Sequence, residues 1–324
     1  MMRPGLTAAA ALLAVLINPP SAAAAQRFAL IVAGASGGPE YVAQYERWTS
    51  SLSQSLIENL RFDAALVTVL TDTPRSGSAA TAQNVRRALA SVASRMTRDD
   101  LLLVVLIGHG TFDGTDAKFN LVGPDLESGE WAGLLRPLPG RVVVVNTASS
   151  SFPFLERLAA PRRVVVTATD SPAQGFDTVF PEYFIRALAD PSADLDKNGR
   201  ISVWEAFAAA SASVSRHYQQ RGQLSTEHPL LDDNGDGVGN EPSSSAGDGS
   251  YASRTYLDES LPGAPPTDEV LLKLLQRKAT LEAEVDDLKI RKAFLPAADY
   301  RKEFERIMIE LAQVSHDIRA RTKS

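Results

Sequence analysis

From Arg27 onward, short and almost wholly apolar runs alternate with stretches whose apolar residues recur every three to four positions. RFALIVAGASGG opens the series as a strand ending in glycines, and Tyr45–Leu60 follows with helical spacing. ALVTVLTD (Ala65–Asp72) predicts a second strand. Thr81–Met96 predicts a helix with Ala82, Val85, Leu89 and Val92 on one face. DDLLLVVLIGHG, RVVVVNTASSS (Arg141–Ser151) and RRVVVTATDS (Arg162–Ser171) predict three more strands. Runs this apolar are buried on both faces, and their alternation with helices predicts an α/β fold with a mostly parallel sheet flanked by helices. Ligands of such sheets bind at the carboxyl ends of the strands, where His109 and Asn146–Ser151 fall.

Beyond Phe180 the pattern turns helical. PEYFIRALA and Val203 to about Gln220 predict two helices separated by a polar loop, and a second polar loop starts at Asp232. EPSSSAGDGS, from Glu241, has linker composition. Leu271, Leu274, Leu281, Val285 and Leu288 then keep near-heptad spacing, and Tyr300, Phe304, Ile307, Leu311, Val314 and Ile318 step by 4-3-4-3-4 around a turn at Pro296. This is a coiled-coil seam, predicting an antiparallel helical hairpin that either folds back as structure or serves self-association. At the other end, Arg3, the apolar run Leu6–Ile17 and AAAA before Gln26 have the make-up of a signal peptide, too short to span a bilayer. The expected divisions are 1–25 signal peptide, 26–190 α/β domain, 191–240 calcium-binding region, 241–266 linker and 267–324 hairpin. Export, to a periplasm or the exterior, is the expected destination.

Composition narrows the chemistry. The 324 residues carry a net charge of -6 and no basic stripe with interleaved aromatics, which argues against nucleic acid. There is no cysteine, so an exported chain has no disulfides and relies on its core and on bound metal. With four histidines, no cysteine and no HExxH spacing, zinc is not expected.

DLDKNGRISVWE, Asp194–Glu205, is the strongest motif. Asp194, Asp196 and Asn198 put side-chain oxygens at positions 1, 3 and 5 of a calcium loop, and Gly199 permits the turn at 6. Arg200 would lend its carbonyl at 7, Ser202 stands at 9, and Glu205 can bind bidentately at 12. HPLLDDNGDGVGNE repeats positions 1, 3 and 5 with Asp232, Asn234 and Asp236. Its position 12 is Ser243, so either Glu241 closes a second Ca2+ site or the loop is a glycine-rich turn.

TRDDLLLVVLIGHG (Thr97–Gly110) resembles the histidine strand of the caspase-like cysteine peptidases, the legumain branch in particular. FALIVAGASGGPEY, VVVVNTASSS, and VVVTATDS followed by FPEYFIRAL resemble the first strand, the nucleophile strand and the next strand and helix of that branch, over about Arg27–Ala189. The resemblance implies a caspase-like fold with His109 at the catalytic histidine position and Ala148 where the thiolate belongs. In that family the histidine serves proton transfers while backbone amides near it and near the nucleophile hold the oxyanion. Alanine cannot attack, so the expectation is a non-catalytic relative that binds a peptide or protein in the strand-end cleft. Two alternatives stand beside it: a hydrolase using His109 with Ser149 or Ser150 as nucleophile, and a calcium-stabilised scaffold acting through its coiled coil. Asp113 and Asp116 are the carboxylates near enough in sequence to orient His109.

Overall fold

The computed structural model describes residues 25–72, 78–196, 198–244, 247–258 and 295–322, with scattered positions between 270 and 292. Residues 1–24 of the predicted signal peptide lie outside the described residues. Among the described residues no helix is long and apolar enough to cross a membrane.

Seven strands form one sheet. In chain order they are β1 (Arg27–Ala33), β2 (Val67–Thr71), β3 (Ser78–Ala79), β4 (Leu101–Ile107), β8 (Arg141–Asn146), β9 (Arg163–Thr167) and β10 (Leu230–Asp232). Their order across the sheet is β10-β9-β8-β4-β1-β2-β3. All neighbours are parallel except β10, which runs antiparallel to β9. The protein is therefore α/β with a mostly parallel central sheet. Every residue of β4 is buried, as a strand covered by helices on both faces requires.

The period-two alternation of side chains divides the core. Ala29, Ile31, Leu103 and Val105 face one layer, built from α1 (Pro39–Gln54), α5 (Phe180–Ala187) and α6 (Val203–Gln220). Phe28, Leu30, Leu102 and Val104 face the other, built from α2 (Ala82–Ala93), α3 (Ser128–Leu135) and α4 (Phe152–Leu158). The α2 helix starts at the cap provided by Thr81, whose Oγ1 accepts from Asn84 N.

Three features depart from the sequence pattern. The α1 helix begins at Pro39, ahead of Tyr45, and runs on through a π-helical turn at Ser55–Asn59. Between β4 and β8 lies a small antiparallel sheet of β5 (Gly110–Phe112), β6 (Ala117–Phe119) and β7 (Leu126–Glu127), leading into α3. The 191–240 region is not separable from the α/β domain, since α6 packs into its core and β10 extends its sheet.

The predicted linker is also part of the fold at its far end. Asp233 accepts from Gly249, Tyr251 and Ala252 N–H, and Ala252 and Leu257 are buried in the α5–α6 layer. Four apolar or aromatic side chains between 251 and 257 outweigh the Ser/Gly composition just before them.

The C-terminal helix α7 (Ala297–Thr322) carries Ile307 and Val314 into a separate cluster with Leu281, Val285 and Leu288. Arg277 pairs with Glu310 across it at 2.6 Å. Leu271 lies outside the described residues.

Candidate functional site

β4 and β8 lie side by side with Leu106 opposite Asn146, so the loops leaving their carboxyl ends meet. The β4 loop carries His109. β8 stops at Asn146, and the chain turns over Ala148, Ser149 and Ser150. The four residues named from the sequence are brought to one end of the sheet, yet their contacts are not those of a nucleophile and its base.

His109 Nε2 lies 3.2 Å from Ser36 O, and Nδ1 lies 3.4 Å from Asp177 Oδ1. The Tyr41 ring meets the imidazole edge-on at 4.7 Å, and Tyr41 OH donates to Asp177 Oδ2. That bond holds Tyr41 above the usual phenol range, and burial pushes Tyr45 beside it up as well. Among the described residues no hydrogen bond joins His109 to Ser149 or Ser150. Asp113 and Asp116 do not orient the histidine either. Asp113 accepts from the amides of Asp116 and Thr115 and pairs with Lys118, which together hold it below the usual carboxylate range.

Ser149 Oγ accepts from Gly110 N and donates to Gly110 O, each at 3.1 Å. Ala148 N donates to Asn146 Oδ1 at 3.1 Å. The amides of Gly110 and Ala148 are thus already satisfied inside the protein. Gly110 is pressed so closely on this turn that a Cβ there would sit 2.3 Å from Ser149 O. Ser150 has φ of 51° and is anchored by its amide to Gln174 O, while Ser151 Oγ accepts from Ala168 and Thr169 N–H. Ala148 itself is buried. The cavity between His109 and α1 holds about 20 Å³, enough for one water. Replacing Ser149 by alanine leaves the Gly110 amide unpaired in this tight contact. The expected loss is about 1–2 kcal/mol in urea denaturation, and an unchanged midpoint would refute the assignment.

The acidic loop lies between α5 and α6. One oxygen from each of Asp194, Asp196 and Glu205 falls within 4.8 Å of the others. Asp194 accepts from Asn198 N and Gly199 N, which wraps the loop, and Gly199 at φ 85° makes the turn a side chain would strain. Burial pushes the Asp196 carboxyl up, and the charges of Glu205 and Asp194 push the same way against its hydrogen bonds from Asn198. A cation would relieve that repulsion. Arg200 donates its N–H to Asn198 Oδ1, and its guanidinium pairs with Asp258 over the Tyr256 ring. Ser202 and Glu205 form a reciprocal capping box at the start of α6. Position 4, Lys197, lies outside the described residues.

In the second loop, Asp232 accepts from Gly235 and Gly237 N–H, and Asn234 and Asp236 are bonded to each other. Glu241 does not turn toward it, pairing with His228 at 3.4 Å instead. The carboxylate that closes on the loop is Asp248, which accepts from Asp233 N and Asn240 Nδ2. Burial raises both Asp232 and Asp248, and each feels the other aspartates nearby.

Asp177, Tyr41, Ser36 and Asp248 were not foreseen. Asp177 lies three residues before the predicted FPEYFIRAL helix, and the helix-starting Gly-Gly-Pro-Glu before Tyr41 was the available cue.

No protein-family model matches the chain, and no curated protein matches it. Among solved structures it is similar to the crystal structure of protein GSU0716 from Geobacter sulfurreducens. That similarity has 16% identity and a TM-score of 0.40, over 64% of this chain and 92% of that one.

Proposed function

We propose that the chain is an exported, calcium-binding, non-catalytic relative of the legumain-type peptidases, which holds a peptide or protein segment across its strand ends. The observation that carries this is the state of the site around Ala148. The histidine strand and the nucleophile strand are adjacent and parallel, as a histidine serving a nucleophile needs, yet the nucleophile position is a buried alanine. The amides of Gly110 and Ala148, which such an enzyme would aim at an oxyanion, are taken by Ser149 and Asn146. Ser149 is occupied on both sides by Gly110, which speaks against its use as nucleophile.

Calcium fits the loop Asp194–Glu205 by donor chemistry: all side-chain ligands are hard oxygens, and three carboxylates already converge. Asp232, Asn234 and Asp236, with Asp248 in place of Glu241, would form a second and weaker site.

The chain from Gln26 should be incubated with a diverse peptide library, in calcium and in chelator, beside His109→Ala. The expected result is peptide capture without histidine-dependent cleavage, and a melting temperature that rises with calcium. Cleavage lost in His109→Ala would overturn the non-catalytic assignment, and a melting temperature indifferent to chelator would overturn the calcium assignment.

A further inference from the structure

Beside His109 the helix α1 presents Tyr41, Tyr45 and Trp48 one helical turn apart, and Asp177 reaches over them from the loop after β9. Tyr41 and Tyr45 lie 6.1 Å apart, Tyr45 and Trp48 stack at 6.0 Å, and Tyr41 and Trp48 are only half-buried. The Asp177 side chain is 56% exposed although it already accepts from Tyr41 and faces His109. Each carboxylate oxygen has two lone pairs, so both oxygens can take a further donor from solvent or ligand. Aromatic faces beside an accessible carboxylate are the arrangement that attracts an organic cation, since the ring quadrupole and the charge act in the same direction.

The surroundings share that sign. Asp72, Asp113, Asp116, Asp125 and Asp170 sit on the same strand-end loops; besides His109, Lys118 is the one basic side chain among their described residues, neutralised by Asp113 and Glu127. Phe176, next to Asp177, is 72% exposed, and Phe112 on β5 is also exposed. An acidic rim with open phenylalanines is complementary to a segment that carries a positive side chain next to an apolar one.

We infer that the Tyr41–Trp48–Asp177 corner is a cation subsite, which receives an arginine or lysine side chain of the bound peptide. The cavity there has space for one water, so a guanidinium lies across its mouth, against the half-buried rings and paired with Asp177. Phe176 and Phe112 then flank the neighbouring residues of the peptide. This assignment rests on peptide binding at the strand ends and adds what kind of peptide is taken.

The test is a positional-scanning nonapeptide array probed with the chain from Gln26, followed by fluorescence anisotropy on the strongest sequence. That sequence would be compared with its arginine→citrulline counterpart, which keeps the shape and loses the charge. The expected result is enrichment of arginine or lysine at one position, and about tenfold weaker binding for the citrulline peptide. Asp177→Asn should remove most of that discrimination, while Asp190→Asn, on a different face, should leave it unchanged. Binding without preference for a basic residue, or discrimination that survives Asp177→Asn, would overturn the cation subsite and leave peptide binding standing. Absence of any binding on the array, from protein shown to be folded by circular dichroism, would overturn both.

Discussion

Glu205→Ala is expected to destabilise the protein by about 3 kcal/mol even in chelator, and to remove the larger part of the stabilisation by calcium, leaving only what the weaker second loop supplies. Glu205 is 4% exposed, and both its oxygens are used. Oε2 accepts from Ser202 N and Oγ, each at 2.8 Å, which completes the cap of α6. Oε1 accepts from Leu195 N and Asp196 N at 2.9 and 3.2 Å, which ties the front of the loop to its end. Loss of a cap costs about 1 kcal/mol, and each buried amide left without a partner about 1–3 kcal/mol, less where water can enter. Glu205→Gln keeps the length and one acceptor, so it should retain roughly half of that stability while losing the charge that a calcium ion would require. Urea denaturation in EDTA measures the first effect, and the calcium-dependent shift in melting temperature the second. A loss below about 1 kcal/mol in EDTA would mean that the loop is held by other contacts.

The second large effect belongs to Asp233, a residue outside both acidic motifs' ligand positions. Its side chain anchors the start of the 249–257 segment through Gly249, Tyr251 and Ala252 N–H at 3.0, 2.8 and 2.7 Å. That segment continues as Val203 N–H to Thr255 O, the bridge between Ser202 and Tyr256, and Arg27 to Leu257 O. Asp233→Ala should therefore cost about 3–4 kcal/mol: hydrogen bonds to a charged acceptor contribute about 1.5–3 kcal/mol each, but the three share one carboxylate, so their losses do not add, and water replaces part of them. The loosened segment also lets go of the first loop, because Tyr256 accepts from Asn198 and Asp258 pairs with Arg200. Limited proteolysis should cut between residues 241 and 258 in the variant and not in the wild type. A variant as protease-resistant as the wild type would show that burial of Ala252 and Leu257 suffices without the aspartate.

What could be read in advance follows from how local each signal is. The strands β4 and β8 are built on unbroken runs of seven and four apolar residues, the pattern of a strand covered on both faces, and they carry His109 and Ala148 to the same end. The strands β5, β6 and β7 have two or three residues each, shorter than any periodicity can register. The bond between Tyr41 and Asp177 joins residues 136 apart in sequence, and no local pattern announces such a partner. Asp113 looked better placed to orient the histidine because it is near in sequence, but its neighbouring amides claim it first. The 249–257 segment was hidden because the Ser/Gly stretch before it dominates any compositional window, while the three amides that anchor it belong to the backbone.

β10 has a consequence for how the chain reaches this state. β9 consists of buried valines flanked by Arg163 and Thr167, and its outer edge is closed only by Leu230–Asp232, after both α5 and α6 have been made. Until those three residues arrive, a growing chain carries an open ladder edge next to some of its most apolar sequence. Edges of that kind recruit other strands, and closing a long loop onto them is slow. The interval between synthesis of β9 and docking of β10 is therefore when this protein is most prone to join another copy of itself. A chaperone that shields Arg163–Thr167 over that interval would raise the yield of folded protein without altering its final stability.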